Sequence, residues 1–231
     1  MAVHDKIWYL ENLNLFKTLP KPALQEVAQK TIMCHFFKDE FIYFSDDPSD
    51  TLYFLKEGKV KIANYSEEGR EVIKTILQPG EVFGEFSLLD EERRADFAQA
   101  LDQVKVCKMS KPNFQALMEK HGQFSIRVNK LIGLRLKKLE RRLESLFFKD
   151  ARSRVVEFII DMAEEQGEKV GLETMIKNSL THQDIANLTA TSRQTVTSVL
   201  NDLRSRNLIN FNRKQILVRD LKTLRHAEVP A

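Results

Sequence analysis

Leu180-Thr181-His182-Gln183-Asp184-Ile185-Ala186, followed after a short break by Thr191-Ser192-Arg193-Gln194-Thr195-Val196, decides the architecture of this 231-residue chain. Thr181 fits a helix N-cap whose hydroxyl accepts from the amide of Asp184, and Ile185, Ala186 and Leu188 line one face of the helix that follows. Thr189-Ala190-Thr191-Ser192 interrupts that helix, and Thr191 with Gln194 three residues on fits a capping box for a second start. Val196, Val199, Leu200 and Leu203 then recur at i, i+3, i+4 and i+7, the buried stripe of an amphipathic helix. Two short helices, a tight turn and small Ala186 at the crossing make a helix-turn-helix.

The first exposed positions of the second helix are Arg193, Gln194, Thr197 and Ser198. A guanidinium forks onto guanine O6 and N7, and an amide does the same to adenine N6 and N7, so these are the predicted base-reading residues. Downstream, Leu208 to Phe211 and Gln215 to Val218 read as two strands around Asn212-Arg213-Lys214, a wing with two cations at its tip. Residues 181–231 carry 8 Lys+Arg against 4 Asp+Glu, and residues 125–154 carry 10 against 3, whereas residues 1–124 carry 16 against 20. A basic terminal module predicts an acidic partner, double-stranded DNA before a protein-binding use of the same shape.

Working upstream, residues 124–146 read as the longest helix. Ile132, Leu136, Leu139, Leu143 and Leu146 fall at spacings of 4, 3, 4 and 3, an a/d seam set among Arg135, Lys137, Lys138, Arg141 and Arg142. Such a seam is satisfied either by a second copy of the chain, the favoured reading, or by packing on the chain's own front half. From Cys34 to Met109 the segments are short and punctuated by Asp46-Asp47-Pro48, Glu57-Gly58 and Gln78-Pro79-Gly80, which predicts an antiparallel barrel or sandwich. Helices are expected from Pro20 or Pro22, at Pro112, from Ala151 to about Gln166, and over the apolar stripe Ile7, Leu10, Leu13, Leu15 and Phe16.

Taken in this order, the chain resembles the Crp/Fnr transcription regulators of bacteria over nearly its whole length. The resemblance implies an α+β fold: a cyclic-nucleotide-binding-type β-barrel (double-stranded β-helix or jelly roll) over residues 1–123, a dimerisation helix over 124–148 and a winged helix-turn-helix over 149–231. It implies a homodimer on a two-fold-related operator, with RNA polymerase as a further partner. It also implies base reading by Arg193, Gln194 and Ser198, and phosphate contacts by Thr181, Gln183, Ser192, Thr195, Arg213 and Lys214. A rotation about Phe147-Phe148-Lys149-Asp150 is the hinge expected by analogy.

The barrel resemblance centres on Gly84-Glu85-Phe86 and Arg94-Ala95. In nucleotide-binding members this cassette holds the cyclic phosphate on backbone amides and the arginine, and the ribose on the glutamate. Here the hydroxyl that usually follows the arginine is Ala95, Asp96 adds a negative charge, and Leu139 and Glu140 stand where hydroxyl residues would meet the purine. No cofactor is therefore expected, a cyclic nucleotide being the disfavoured alternative. The other reading of Gly84 and Glu85 is architectural, with Arg94 paired to Glu85 or Asp96.

Other classes fall away. No P-loop, no Gly-x-Ser-x-Gly elbow and no metal-ligand spacing occur, so no catalytic or metal residues are nominated. Cys34 and Cys107 stand alone and read as packed apolar side chains. Met1 to Lys6 lacks the layout of a signal peptide, and no apolar run reaches membrane-span length. A soluble, reduced, cytoplasmic protein without a membrane partner is the expectation.

Overall fold

The computed structural model describes residues 15–17, 19–89, 91–177, 180–212 and 215–226. The apolar stripe at Ile7, Leu10 and Leu13 lies outside them, as do Arg213 and Lys214. The chain divides into two compact units, Met1–Lys137 and Lys138–Ala231.

In the first unit, Pro20 sits extended before helix α1 (Lys21–Lys30) and Pro22 in its first turn, where a missing amide costs nothing. Eight antiparallel strands follow: β1 (Ile32–Phe36), β2 (Phe41–Tyr43), β3 (Thr51–Glu57), β4 (Val60–Tyr65), β5 (Glu71–Leu77), β6 (Val82–Phe83), β7 (Phe97–Ala100) and β8 (Val104–Ser110). They form two sheets, ordered β1-β8-β3-β6 and β2-β7-β4-β5. Among the described residues the strand hydrogen bonds stay within each sheet, which gives the jelly-roll form of the predicted barrel.

Strand β3 explains the layering. Leu52 and Phe54 point to one face, Tyr53 and Leu55 to the other, and all four are buried. Tyr53 and Leu55 join Tyr43, Val60, Phe83 and Val106 between the sheets. Leu52 and Phe54 join Phe16, Leu24, Val27, Phe114 and Phe124 in a second core under the helices. There Phe16 stacks on Phe124 with ring centroids 5.5 Å apart. Helices α2 (Lys111–Lys120) and α3 (Gly122–Phe148) complete this layer, α3 burying Phe124 and Val128. Cys107 is buried against Met33, with sulfurs 3.7 Å apart, as a packed side chain.

In the second unit, Asp150 caps helix α4 (Ala151–Gln166) by accepting from the Ser153 amide at 2.7 Å. A hairpin of β9 (Glu168–Val170) and β10 (Glu173–Lys177) comes next, then α5 (His182–Leu188), α6 (Arg193–Ser205), β11 (Ile209–Phe211), β12 (Gln215–Val218) and α7 (Leu221–His226). The hairpin was not anticipated. It widens the wing into a four-stranded sheet ordered β11-β12-β10-β9. Gly167 permits it, because a Cβ there would lie 2.2 Å from the Ala163 carbonyl oxygen and 2.3 Å from the Thr174 methyl.

The last turns of α3 are braced along α4. Lys138 pairs with Glu165 at 2.8 Å, Arg141 with Asp161 at 3.1 Å, and the Ser145 hydroxyl donates to Glu157 at 2.6 Å. This ladder spans the joint at residues 147–150, so rotation there must break it. Phe147 and Phe148 within the joint are more than four-fifths exposed.

Candidate nucleic-acid interface and sensor pocket

Helix α5 opens on a reciprocal cap. The Thr181 hydroxyl accepts from the Asp184 amide at 3.1 Å, and the Asp184 carboxylate accepts from the Thr181 amide at 2.8 Å. Replacing Thr181 with alanine is expected to cost about 1 kcal/mol of stability, read as a lower urea midpoint with unchanged slope. The turn then bends through Ala190, held at φ +48° in the left-handed region, while the Thr191 amide still donates to the Ala186 carbonyl at 2.9 Å. Thr191 therefore belongs to the turn. The cap of α6 is its neighbour Ser192, whose hydroxyl accepts from the Thr195 amide at 3.0 Å.

Sequence reasoning overlooked the residue that fixes this turn. Arg154, on α4, donates to the carbonyls of Lys149 (2.8 Å), Thr189 (2.9 Å) and Ala190 (3.0 Å). One guanidinium thus ties the start of α4 to the bend between α5 and α6.

Helix α6 buries Val196, Val199, Leu200 and Leu203, as the spacing predicted. Its opposite face gathers Arg193, Gln194, Thr197 and Ser198 in one concave, solvent-facing patch, together with Asn201. Asn201 was missed, although it continues the i+3, i+7 stripe from Ser198 and Gln194. Thr197 differs from its neighbours. Its hydroxyl donates to the Arg193 carbonyl at 2.9 Å and lies 2.9 Å from His182 Nδ1. With one proton and two partners inside the protein, the Thr197 hydroxyl is engaged before any base is met. Partial burial, then the Arg193 charge, holds His182 below the usual histidine range, so the imidazole is neutral at pH 7.

Four of the nominated phosphate residues are among the described ones. Thr181, Gln183 and Ser192 are exposed, and Thr195 is half-buried with its hydroxyl 2.8 Å from that of Ser192. Gln183 donates to the Asn187 side chain at 2.9 Å. The wing turn is closed by Asn212 and Gln215, whose backbones are joined at 3.0 Å.

In the first unit, Gly84 holds φ +77°, where a Cβ would press to 2.8 Å from the Thr51 carbonyl oxygen. It leads into a short 3-10 helix, Glu85–Leu89. Arg94 is buried nearby. It donates to the Thr51 carbonyl at 2.7 Å and lays its guanidinium over the Tyr43 ring at 4.0 Å, with Tyr53 at 5.5 Å. Burial above all, then the Asp96 charge, pushes the Tyr43 hydroxyl well above the usual phenol range.

The expected pairing of Arg94 with Glu85 or Asp96 is not found. Glu85 is taken by Arg135 of α3, which also donates to the Val82 carbonyl. Asp96 is taken by Lys74 at 2.8 Å and by the Tyr43 hydroxyl at 3.2 Å. Both carboxylates meet other cations first, leaving Arg94 to a carbonyl and two rings. Its Nε has no hydrogen-bond partner among the described residues. Ala95 and Phe86 are exposed.

Along α3, Ile132, Leu136, Leu139, Leu143 and Leu146 are 45, 56, 54, 47 and 40% exposed. Five bulky apolar side chains on one helical seam are thus largely open to solvent in the single chain. No helix among the described residues is long and apolar enough to cross a membrane.

Residues 33–121 match the family model of the cyclic nucleotide-binding domain, and residues 153–227 that of the Crp-like helix-turn-helix domain. A CRP-like cAMP-activated global transcriptional regulator of Mycobacterium tuberculosis is 26% identical over 215 residues, 93% of this chain and 96% of the relative. A global nitrogen regulator of Synechocystis is 31% identical over 185 residues, 79% of this chain and 82% of the relative. Among solved structures, a CooA mutant from Carboxydothermus hydrogenoformans superposes with a TM-score of 0.75 at 26% identity, covering 88% of this chain and 90% of that one.

Proposed function

Since the chain belongs to the Crp/Fnr family of transcription regulators and carries its DNA-binding helix-turn-helix, we propose that it acts as a homodimer on a two-fold-related operator and needs no cyclic nucleotide to do so. The observation that carries the reading is the exposed patch of α6, with Arg193, Gln194 and Ser198 set opposite its buried stripe. Arg193 and Gln194 supply the forked donors and the mixed amide that read a major-groove edge, and Thr181, Gln183, Ser192 and Thr195 the polar groups beside it that suit phosphates. The exposed leucine seam of α3 supports pairing of two chains, which sets half-sites about one helical turn, or ~34 Å, apart. Functional boundaries fall at residues 1–123, 124–148 and 149–231, and RNA polymerase is the partner such a regulator addresses once on DNA.

Independence of cyclic nucleotides rests on the sensor geometry. A cyclic phosphate needs donors. Arg94 spends one on Thr51 and sits over the Tyr43 ring, and Ala95 adds no hydroxyl. The carboxylate that would take a ribose hydroxyl is already held by Arg135. These engagements support a site that works without a nucleotide. The contrary reading draws on the unpartnered Arg94 Nε and on the Mycobacterium relative described as cAMP-activated.

Selection of duplexes from a random pool by the purified chain, with and without cAMP, separates the two. Enrichment of one palindromic site to the same extent in both is expected. Enrichment only with cAMP overturns the nucleotide-independent reading, and enrichment of single half-sites without symmetry overturns the dimer.

A further inference from the structure

We infer that Asn201 is a further DNA-contacting residue, held so that it turns its NH2 donors toward an acceptor atom on the duplex, and that Arg204 is the residue that positions it. The inference rests on the reading of α6 as the recognition helix. Asn201 is exposed on the same patch as Arg193, Gln194, Thr197 and Ser198. An asparagine amide left to itself presents a donor or an acceptor by a half-turn of its side chain.

Here that choice is removed. The Arg204 guanidinium donates to Asn201 Oδ1 at 3.0 Å. A guanidinium has donors only, so the carbonyl end of Asn201 must face it, and the NH2 end is the one left for DNA. Arg204 is anchored in turn, its guanidinium carbon 4.9 Å from the ring centroid of Phe211 in the wing strand β11. The wing thus orients a side chain on the recognition helix through a cation stacked on an aromatic face.

The position along the helix defines the target. Eight residues separate Arg193 from Asn201, about 12 Å of helix at ~1.5 Å per residue, close to the ~12 Å width of the major groove. With the first turn of α6 at the base edges, Asn201 reaches the rim of the groove. Two kinds of acceptor lie there: O6 or N7 of guanine or O4 of thymine at an outer base pair, and a flanking phosphate oxygen. Both are recognised by the same NH2.

The test uses the full chain and the duplex obtained by selection, a set of duplexes with each base pair of one half-site exchanged in turn, and a random duplex. Binding is read by fluorescence anisotropy, with thermal melts confirming that each variant is folded. Asn201→Ala is expected to weaken the selected duplex about 5- to 20-fold. Asn201→Asp, the same shape with acceptors only, is expected to do at least as much harm. Arg204→Ala is expected to blunt base preference at the position that Asn201→Ala affects, a readout that loss of wing stability alone would not confine to one base pair. Loss limited to one base pair assigns a base edge; equal loss on all duplexes, with a shallower salt dependence, assigns a phosphate. An Asn201→Ala effect below twofold, or Asn201→Asp binding as well as the parent chain, overturns the inference. Arg193→Ala is measured alongside. If it too leaves specific binding intact, the recognition-helix reading falls and this inference with it.

Discussion

A chain carrying Leu136→Glu and Leu143→Glu is expected to sediment as a folded monomer and to bind its operator about 100-fold or more weakly than the parent. The two leucines are 56 and 47% exposed in the single chain, so exchanging them does not empty its core. In a paired helix each would bury its remaining surface, contributing on the order of 1 kcal/mol, and each occurs twice in a dimer. Four glutamates on the seam remove that gain and add the cost of desolvating like charges in apolar surroundings. The DNA effect follows from geometry. Two half-sites held by one rigid dimer bind with an effective concentration that a monomer lacks, and losing such bivalency costs roughly 10²- to 10⁴-fold. Circular dichroism should be unchanged, because the helix also rests on Phe124 and Val128, which are buried elsewhere. A variant that remains dimeric at micromolar concentration would place the interface on another surface.

The outcome of that experiment also bears on the hinge. The ladder from Lys138 to Ser145 holds the last turns of α3 against α4, and Arg154 holds α4 to the turn of the helix-turn-helix. Residues 147–150 are therefore bracketed by contacts on both sides. Two of the braces, Lys138–Glu165 and Arg141–Asp161, are surface ion pairs worth about 1 kcal/mol or less each and weaken as salt screens them, whereas the Ser145 and Arg154 contacts are hydrogen bonds that salt leaves in place.

What the sequence discloses of this fold follows its local chemistry. The stripe Val196, Val199, Leu200, Leu203 and the cap at Thr181 are short-range patterns, and both are present where the spacing puts them. The second cap moved by one residue because Thr191 and Ser192 are both capping types and only the path of the chain chooses. With Ala190 left-handed and the Thr191 amide bonded back to Ala186, Ser192 is the first residue free to turn its hydroxyl to the helix. The β9–β10 hairpin escaped notice because Glu168, Lys169 and Val170 are all exposed and show no alternation. The partners of Glu85 and Asp96 were illegible for a different reason. Arg135 lies 50 residues from Glu85, and Lys74 lies 22 from Asp96, so topology rather than spacing brings the charges together. Asn201 was legible and overlooked, because the first turn of a recognition helix draws attention from the third.

Arg193→Ala is expected to abolish discrimination between operator and random duplex while leaving much of the random binding in place. A forked contact from guanidinium to guanine contributes about 1–3 kcal/mol, and a dimer makes it twice, so specific affinity should fall by roughly 2–6 kcal/mol. Arg193→Lys divides that loss into its parts. The ammonium keeps the charge that attracts phosphates but not the planar fork, so it should restore non-specific binding and recover little of the discrimination. Equal losses on operator and random DNA for both variants would reduce Arg193 to a phosphate contact. The change carries a second readout within the protein. The Arg193 charge is one of two causes holding His182 low, burial being the larger. Removing the charge lets the imidazole titrate closer to its usual 6.5, by an amount that an NMR titration of His182 resolves. The sign matters for folding. With the native histidine depressed, the unfolded chain binds more protons, so stability rises with pH from the native pKa up to that of the unfolded chain. Arg193→Ala narrows this window. A His182 titration that does not move would mean that Arg193 and the Thr197–His182 hydrogen bond are electrostatically independent, and that a change of charge at the start of α6 is not relayed to α5.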